Sequence, residues 1–301
     1  MAPPSAPTDP TAPTHAARPS GRRRGLHRAL VPVALLVLAA GVSCGPPAED
    51  STSAATASDP YRAEQSADPH LPTGVTSAAV VVMIPGGSWQ SAEPAGLAPL
   101  AEALADRGVV AVPVTIRAAQ DGVVHPTPVE DVLCALAHGA AVASEAGIRP
   151  TRLVLLGHSS GAHLSAVATL APDRYDPTCE DPVVRPDALV GLAGPYDIRD
   201  FADAAAALFA PAADAAERDA ANPVLLADHQ PEVPVLLLHG EADEVVPASF
   251  STDFATALRD GGHPTTVTVL PGDDHGSIYS AETAAAPVAD WLASLPQPSG
   301  G

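Results

Sequence analysis

Between residues 78 and 294 the apolar positions follow two alternating periods. Residues 78–84 form an unbroken, largely β-branched run, the pattern of a strand covered on both faces, and similar runs recur at 109–116, 153–156, 188–193, 233–238 and 265–270. Between them, at 96–107, 128–146, 249–260 and 282–294, apolar residues repeat with helical spacing; Gly108 and Gly147 close the first two of these helices. A further stretch of small residues with helical period follows 153–156 after a short turn. Strands interleaved with helices in this way predict an α/β fold, a doubly wound and mainly parallel sheet flanked by helices. The segment 196–222 leaves room for a minimal cap, and no internal repeat is visible.

The turn after 153–156 has the sequence Gly157-His-Ser159-Ser160-Gly161. A strand that reverses this sharply into a helix holds its central serine in strained backbone and leaves no room for side chains on the flanking residues, which is the cause of the G-x-S-x-G spacing. Ser159 is thereby a candidate nucleophile, and the N–H of Ser160 falls at the positive end of a helix. A neutral serine hydroxyl needs a base. In doubly wound hydrolases that carry a serine on such a turn, the partners follow in the order serine, acid, histidine, each at the carboxyl end of a strand. Only His263 and His275 come late enough, and His263 precedes the last strand, at the wrong end of the sheet, whereas His275 follows it in Pro271-Gly-Asp-Asp-His275-Gly276. Asp243, in the loop after 233–238, is suited to orient that imidazole; Asp197, Glu241 and Glu244 stand as alternatives. The loop Pro85-Gly86-Gly87-Ser88-Trp89 after the first strand offers backbone N–H groups of Gly86, Gly87 and Ser88 which, with Ser160, would hold a developing oxyanion. His158 and His163 flank the serine and read as structural, His163 because it falls on a packed helical face.

Composition narrows the setting. Beyond Ser43 there are 10 arginines against 34 acidic residues, a net charge of −24, which repels nucleic-acid phosphates and anionic headgroups. No C-x-x-C, H-E-x-x-H or glycine-rich phosphate loop is present, so no metal or nucleotide cofactor is expected. Residues 1–20 are rich in Pro, Ala, Ser and Thr; then Arg22, Arg23 and Arg24 precede an apolar run over 29–42 that contains Pro32. That run falls short of the roughly 20 residues a bilayer core needs and fits an export signal spanning residues 1–44. The adjacent arginines resemble a twin-arginine signal, and Gly41-Val-Ser43-Cys44 resembles a lipoprotein signal in which Cys44 is lipidated, so the chain is expected to be exported, either secreted or lipid-anchored at the outer face of a bacterial membrane. Residues 45–76 have the composition of a flexible tether, with Tyr61 and Leu71 as apolar points that would pack on the domain; 77–296 form the folded domain and 297–301 a disordered tail.

The stretches Pro85-Gly-Gly-Ser-Trp89, Gly157-His-Ser-Ser-Gly-Ala-His-Leu164, Gly194-Pro-Tyr-Asp197, Asn222-Pro-Val224 and His239-Gly-Glu-Ala-Asp-Glu-Val-Val-Pro247 resemble those of the α/β-hydrolase superfamily. They are most similar to small carboxylesterases of its hormonesensitive-lipase-like and kynurenine-formamidase-like branch, which includes feruloyl and acetyl xylan esterases. The resemblance implies a serine hydrolase acting on small-molecule carboxylic esters through an acyl-enzyme, with Ser159, Asp243 and His275 as its triad, Gly87, Ser88 and Ser160 as oxyanion donors, and no cofactor. A formamidase or peptidase with the same triad, or a ligand-binding surface lipoprotein, are the alternatives. One departure stands out: that branch opens its oxyanion loop with His-Gly-Gly, where this chain has Pro85. Few aromatic residues, 3% of the chain, are available to grip a long ligand, which favours a short acyl group. In an exported protein of this fold, Cys134 and Cys179 lie on neighbouring elements and are expected to form a disulfide.

Overall fold

The computed structural model of the protein describes residues 59–62 and 65–296. The expected export signal with Cys44, residues 45–58 of the expected tether and the tail 297–301 lie outside the described residues. In chain order, the strands Asp59–Arg62 (β1) and Gln65–Ala67 (β2) form an antiparallel ribbon, followed by Ser77–Ile84 (β3), the helix Ala98–Ala105 (α1) and Val110–Pro113 (β4). Next come Thr127–Glu145 (α2), Arg149–His158 (β5), Ser160–Leu170 (α3) and Ala188–Leu192 (β6). Two short helices, Ala202–Ala205 (α4) and Ala215–Ala220 (α5), precede Val235–Gly240 (β7), Ser249–Asp260 (α6), Thr265–Leu270 (β8) and Ala281–Ser294 (α7). The main sheet has the order β4-β3-β5-β6-β7-β8 and every neighbouring pair is parallel.

The continuous apolar runs are explained by two cores, one on each face. Along β3, Val80, Val82 and Ile84 join α2, α3 and α6 on one side, while Val81 and Met83 join α1 and α7 on the other. All five are fully buried. Since complete burial of such a side chain is worth about 1.5–3 kcal/mol, a polar residue at either set of positions would be costly, and the strand reads as apolar throughout. The helix α3 lies deepest: all of its residues are buried, so its sequence shows small side chains rather than a polar stripe.

Boundaries differ from expectation where side-chain pattern and backbone pairing part. The strand expected at 153–156 runs from Arg149 to His158, because Ser77 and Ala78 of β3 pair with Arg149 and Pro150 although that stretch has no apolar pattern. The strand expected at 109–116 ends at Pro113, and the helix expected at 96–107 opens as a tight turn over Pro94–Leu97 before α1 begins. Asp197–Asn222 carries only α4, α5 and short turns, in line with a minimal cap.

The largest difference concerns residues 65–76, whose composition suggested a tether. Of these, Ser66 to His70 run antiparallel along the open edge of β4, with Asp68 N–H donating to Pro113 O (2.9 Å), His70 N–H to Ala111 O (2.8 Å), Ala111 N–H to His70 O (3.1 Å) and Thr115 N–H to Ser66 O (2.9 Å). The anchors are Ala67, 1% exposed, and Gln65, whose Nε2 donates to the fully buried Asp131 on α2 at 2.7 Å; Leu71 is 40% exposed. Backbone pairing of a sheet edge demands no apolar period, so nothing in the side chains announced it.

Candidate active site

Four loops converge at the carboxyl edge of the sheet, after β3, β5, β7 and β8. The turn after β5 places Ser159 at φ 52°, ψ −124°, a conformation that costs a side-chain-bearing residue on the order of 1–3 kcal/mol. Ser159 N–H donates to Leu192 O on β6 at 2.9 Å, and Ser159 O accepts from Ala162 N–H at 2.9 Å, so the strained residue is held from both sides. The glycines are dictated by contact: a Cβ on Gly157 would lie 2.3 Å from Gly161 O, and one on Gly161 would lie 2.3 Å from Ile84 O. The G-x-S-x-G spacing therefore records how closely α3 approaches β5 and the end of β3.

Ser159 and His275 line one cavity of about 320 Å³, together with Gly86, Gly87, Ser88 and Glu93. His275 Nδ1 donates to Asp243 Oδ2 at 2.7 Å, which leaves Nε2 as the basic nitrogen of the neutral ring. The Asp243 side chain is fully buried; its Oδ1 accepts from the N–H groups of Val245 and Val246, both at 2.8 Å, and its Oδ2 also lies 3.3 Å from His239 Nε2. His239 Nε2 donates to Val246 O at 2.8 Å and its Nδ1 accepts from Ser251 Oγ at 2.7 Å, so this buried ring braces the loop that carries Asp243. The alternative acids are engaged elsewhere or solvated. Asp197 accepts from Arg199 Nε at 2.8 Å and from Asn222 Nδ2 at 3.0 Å, and Arg199 holds its carboxyl below the usual carboxylate range; Glu241 and Glu244 are exposed. His263 Nδ1 donates to Val233 O at 2.9 Å, at the amino end of β8 and so at the opposite end of the strand from this edge.

His158 and His239, which precede the acid in sequence and so fell outside the search for a base, are part of the surroundings. His158 Nε2 donates to His275 O at 2.9 Å and its ring packs 4.8 Å from that of His275 and 4.3 Å from that of Tyr279, fixing the loop after β8. Burial, reinforced by the neighbouring His275, lowers the His158 pKa to about 4, and burial lowers that of His163 to about 3. Both rings are neutral in the fold over a range in which an unfolded chain would take up protons. Stability is therefore expected to be complete above pH 6.5, to fall as pH drops through the interval from about 6.5 to about 3, and to flatten below it, with a slope near 1.4 kcal/mol per pH unit for each ring where only the unfolded state is protonated. Urea denaturation at pH 7, 6, 5 and 4 measures this, and a level profile would contradict it.

The loop after β3 turns through three residues of positive φ, Gly87 at 151°, Ser88 at 54° and Trp89 at 57°. A Cβ on Gly87 would lie 2.2 Å from Ser91 O, so only glycine fits. The N–H groups of Gln90 and Ser91 both close back onto Gly87 O, at 2.9 and 3.2 Å. Gly86, Gly87 and Ser88 form the cavity wall beside Ser159, and Ser160 opens α3 directly behind it. A disulfide joins Cys134 on α2 to Cys179 in the loop after α3. Of the site residues expected from sequence, the structure brings together Gly86, Gly87, Ser88, Ser159, Ser160, Asp243 and His275; Cys44 lies outside the described residues.

The BD-FAE family matches residues 68–258. Among curated proteins the chain is similar to the probable carboxylic ester hydrolase LipM of Mycobacterium tuberculosis, with 32% identity over 238 residues, 73% of this chain and 55% of that one. It is also similar to the esterase LipQ of the same organism, with 28% identity over 71% of this chain and 53% of that one. The chain thus spans about half the length of the curated relatives it matches. Among solved structures it resembles a thermophilic esterase from Thermogutta terrifontis with propionate bound, at 24% identity and a TM-score of 0.62, covering 76% of this chain and 87% of that one. A second is the acetyl ester-xyloside bifunctional hydrolase of Caldicellulosiruptor lactoaceticus, at 21% identity and a TM-score of 0.66, covering 76% and 88%. At these identities the likeness to the structures is one of fold.

Proposed function

The chain belongs to the BD-FAE family, and from that premise we propose that it hydrolyses carboxylic esters of short acyl chains through an acyl-enzyme. The observation that carries this reading is the contact of 2.7 Å between the buried Asp243 carboxylate and Nδ1 of His275, a residue that shares the wall of one cavity with Ser159. His275 Nε2 takes the proton of Ser159 as Oγ bonds to the ester carbonyl carbon, and the carbonyl π pair moves onto oxygen. Asp243 stabilises the imidazolium that results. The N–H groups of Gly87, Ser88 and Ser160, with Gly86 shaping the same wall, receive the oxyanion; removal of one such donor typically costs about 10²–10³-fold in rate. Collapse breaks the bond to the alcohol oxygen, which leaves with the proton from His275. Water then repeats the cycle, giving its proton to His275 and its oxygen to the acyl carbon, and Ser159 is restored.

The size of the cavity, about 320 Å³, supports a small acyl or alcohol part. Among the described residues Glu93 is the one carboxylate on its wall and no arginine lines it, which argues against anionic esters. Export is part of the same reading, supported by Arg22–Arg24, the apolar run over 29–42 and Cys44 in the sequence, and by the Cys134–Cys179 disulfide, a bond that persists in oxidising compartments. The test is a panel of p-nitrophenyl esters from acetate to decanoate, beside N-formylkynurenine and aminoacyl amides. The highest kcat/KM is expected for acetate to butyrate, with a fall of about tenfold or more by octanoate. Faster turnover of an amide than of every ester, or no turnover by the folded protein, would overturn the reading.

A further inference from the structure

In this chain the oxyanion loop opens with Pro85, which has no side-chain donor, yet its backbone carries two consecutive non-glycine residues in the left-handed region, Ser88 and Trp89. Such a loop holds its shape only if its surroundings over-determine it. Backbone bonds account for part: besides the closures onto Gly87 O, Ala119 N–H donates to Trp89 O and Gln120 N–H to Gln90 O, both at 3.0 Å. The remainder runs through side chains. Trp89 Nε1 donates to His163 Nδ1 at 3.2 Å, the two rings meeting edge to face with centroids 5.3 Å apart. His163, on the helix behind Ser159, donates from Nε2 to Ala221 O at 2.8 Å, next to the Asn222 that bonds Asp197 at the base of the cap. Both rings are buried, Trp89 at 3% exposure and His163 at 0%, and the void behind the loop is only about 10 Å³.

We propose that Trp89 and His163 are positioning residues for the oxyanion hole: the bond from the indole N–H to His163 Nδ1 ties the loop of Gly87 and Ser88 to the helix that carries Ser160, setting the two sources of donors at a fixed separation. The proposal rests on the ester-hydrolysis reading for its kinetic consequence but not for the bond itself. The geometry defines the tautomer, because a carbonyl accepts at Nε2 and that nitrogen must carry the proton, leaving Nδ1 as acceptor. Burial, which lowers the His163 pKa to about 3, keeps that lone pair unprotonated throughout the working range. The strained residue's own indole, donating across to the helix that follows the nucleophile, supplies a side-chain anchor that Pro85 cannot.

Two substitutions at His163 separate the two halves of the tie. His163→Asn retains an acceptor near the place of Nδ1 and loses the bond to Ala221; His163→Gln retains a donor near the place of Nε2 and loses the bond to Trp89. Trp89→Phe removes the indole N–H together with the pyrrole part of the ring, so His163→Gln, which leaves the indole in place, is the cleaner cut of the bond. With p-nitrophenyl acetate, Trp89→Phe and His163→Gln are expected to lower kcat about 10- to 100-fold at nearly unchanged KM, whereas His163→Asn stays within a few-fold of wild type and the double variant Trp89→Phe/His163→Gln is no slower than either single. Equal losses in His163→Asn and His163→Gln, a change confined to KM, or additive losses in the double variant would overturn the proposal. The bond has its own readout. The chain has two tryptophans, Trp89 and Trp291, so one indole N–H resonance in a ¹⁵N spectrum should exchange slowly with solvent in wild type and His163→Asn and rapidly in His163→Gln. Failure of wild type to hydrolyse any ester, with that protection intact, would refute the ester reading and leave the tie standing; rapid exchange in wild type would refute the tie whatever the activity.

Discussion

Ser159→Ala is expected to lower kcat for short-chain esters by about 10⁵-fold or more, leaving the residual rate that donors and binding supply without a nucleophile. The magnitude follows from the geometry around it. Once the hydroxyl is gone, His275 has no bound nucleophile to deprotonate; among the described residues the other nearby serines are Ser88, on the loop after β3, and Ser160, buried on α3. Alanine is smaller than serine and fits the strained turn, so near-ultraviolet circular dichroism should match wild type. A fluorophosphonate reagent gives the complementary measurement: mass spectrometry should find the adduct on Ser159 in wild type and none in Ser159→Ala. Activity of the variant within tenfold of wild type, or adduct formation at another residue, would remove the mechanism.

Asp243→Asn should cost about 10³–10⁴-fold in kcat with KM little changed. Oδ1 of Asp243 accepts from two N–H groups, Val245 and Val246, so the amide oxygen of asparagine is compelled to take that place and its NH₂ must face His275. An NH₂ group donates, which requires Nδ1 of the imidazole to accept and moves its proton to Nε2. The ring is then in the wrong tautomer to receive the proton of Ser159. The comparison that discriminates is Asp197→Asn: that carboxylate belongs to Arg199 and Asn222, and its loss should affect thermal stability more than kcat. If Asp197→Asn lost as much activity as Asp243→Asn, or more, the assignment of the acid would be reversed.

Both expectations are partly legible in the sequence alone. Runs such as 78–84 identified the strands because burial on two faces leaves no alternative to apolar residues, and Gly157 and Gly161 identified the turn because steric exclusion at that crossing admits nothing larger. Asp243 could be preferred by its place after a strand but not separated from Asp197 by sequence, since what separates them is an arginine two residues on that folds back to claim Asp197. His239 precedes the acid in the chain, and catalytic order, which excludes it as the base, is silent about bracing. The bond from Trp89 to His163 was invisible for a similar reason: residues 74 positions apart meet only after β3 and α3 have packed, and His163 simply matched the period of a buried helical face. Composition misled most at 65–76, where Pro, Ser, Asp and Thr look like spacer.

That last stretch determines where the domain can be cut. A shortened protein starting at residue 77, the point at which the composition changes, would leave β4 with a row of unanswered backbone donors and acceptors, an invitation to edge-to-edge association between molecules. It would also remove Ser66 and Asp68 from the wall of a second hollow of about 420 Å³ that shares Glu93 with the catalytic cavity, so that the surroundings of a cavity-wall carboxylate would be altered by a deletion that touches no reacting group.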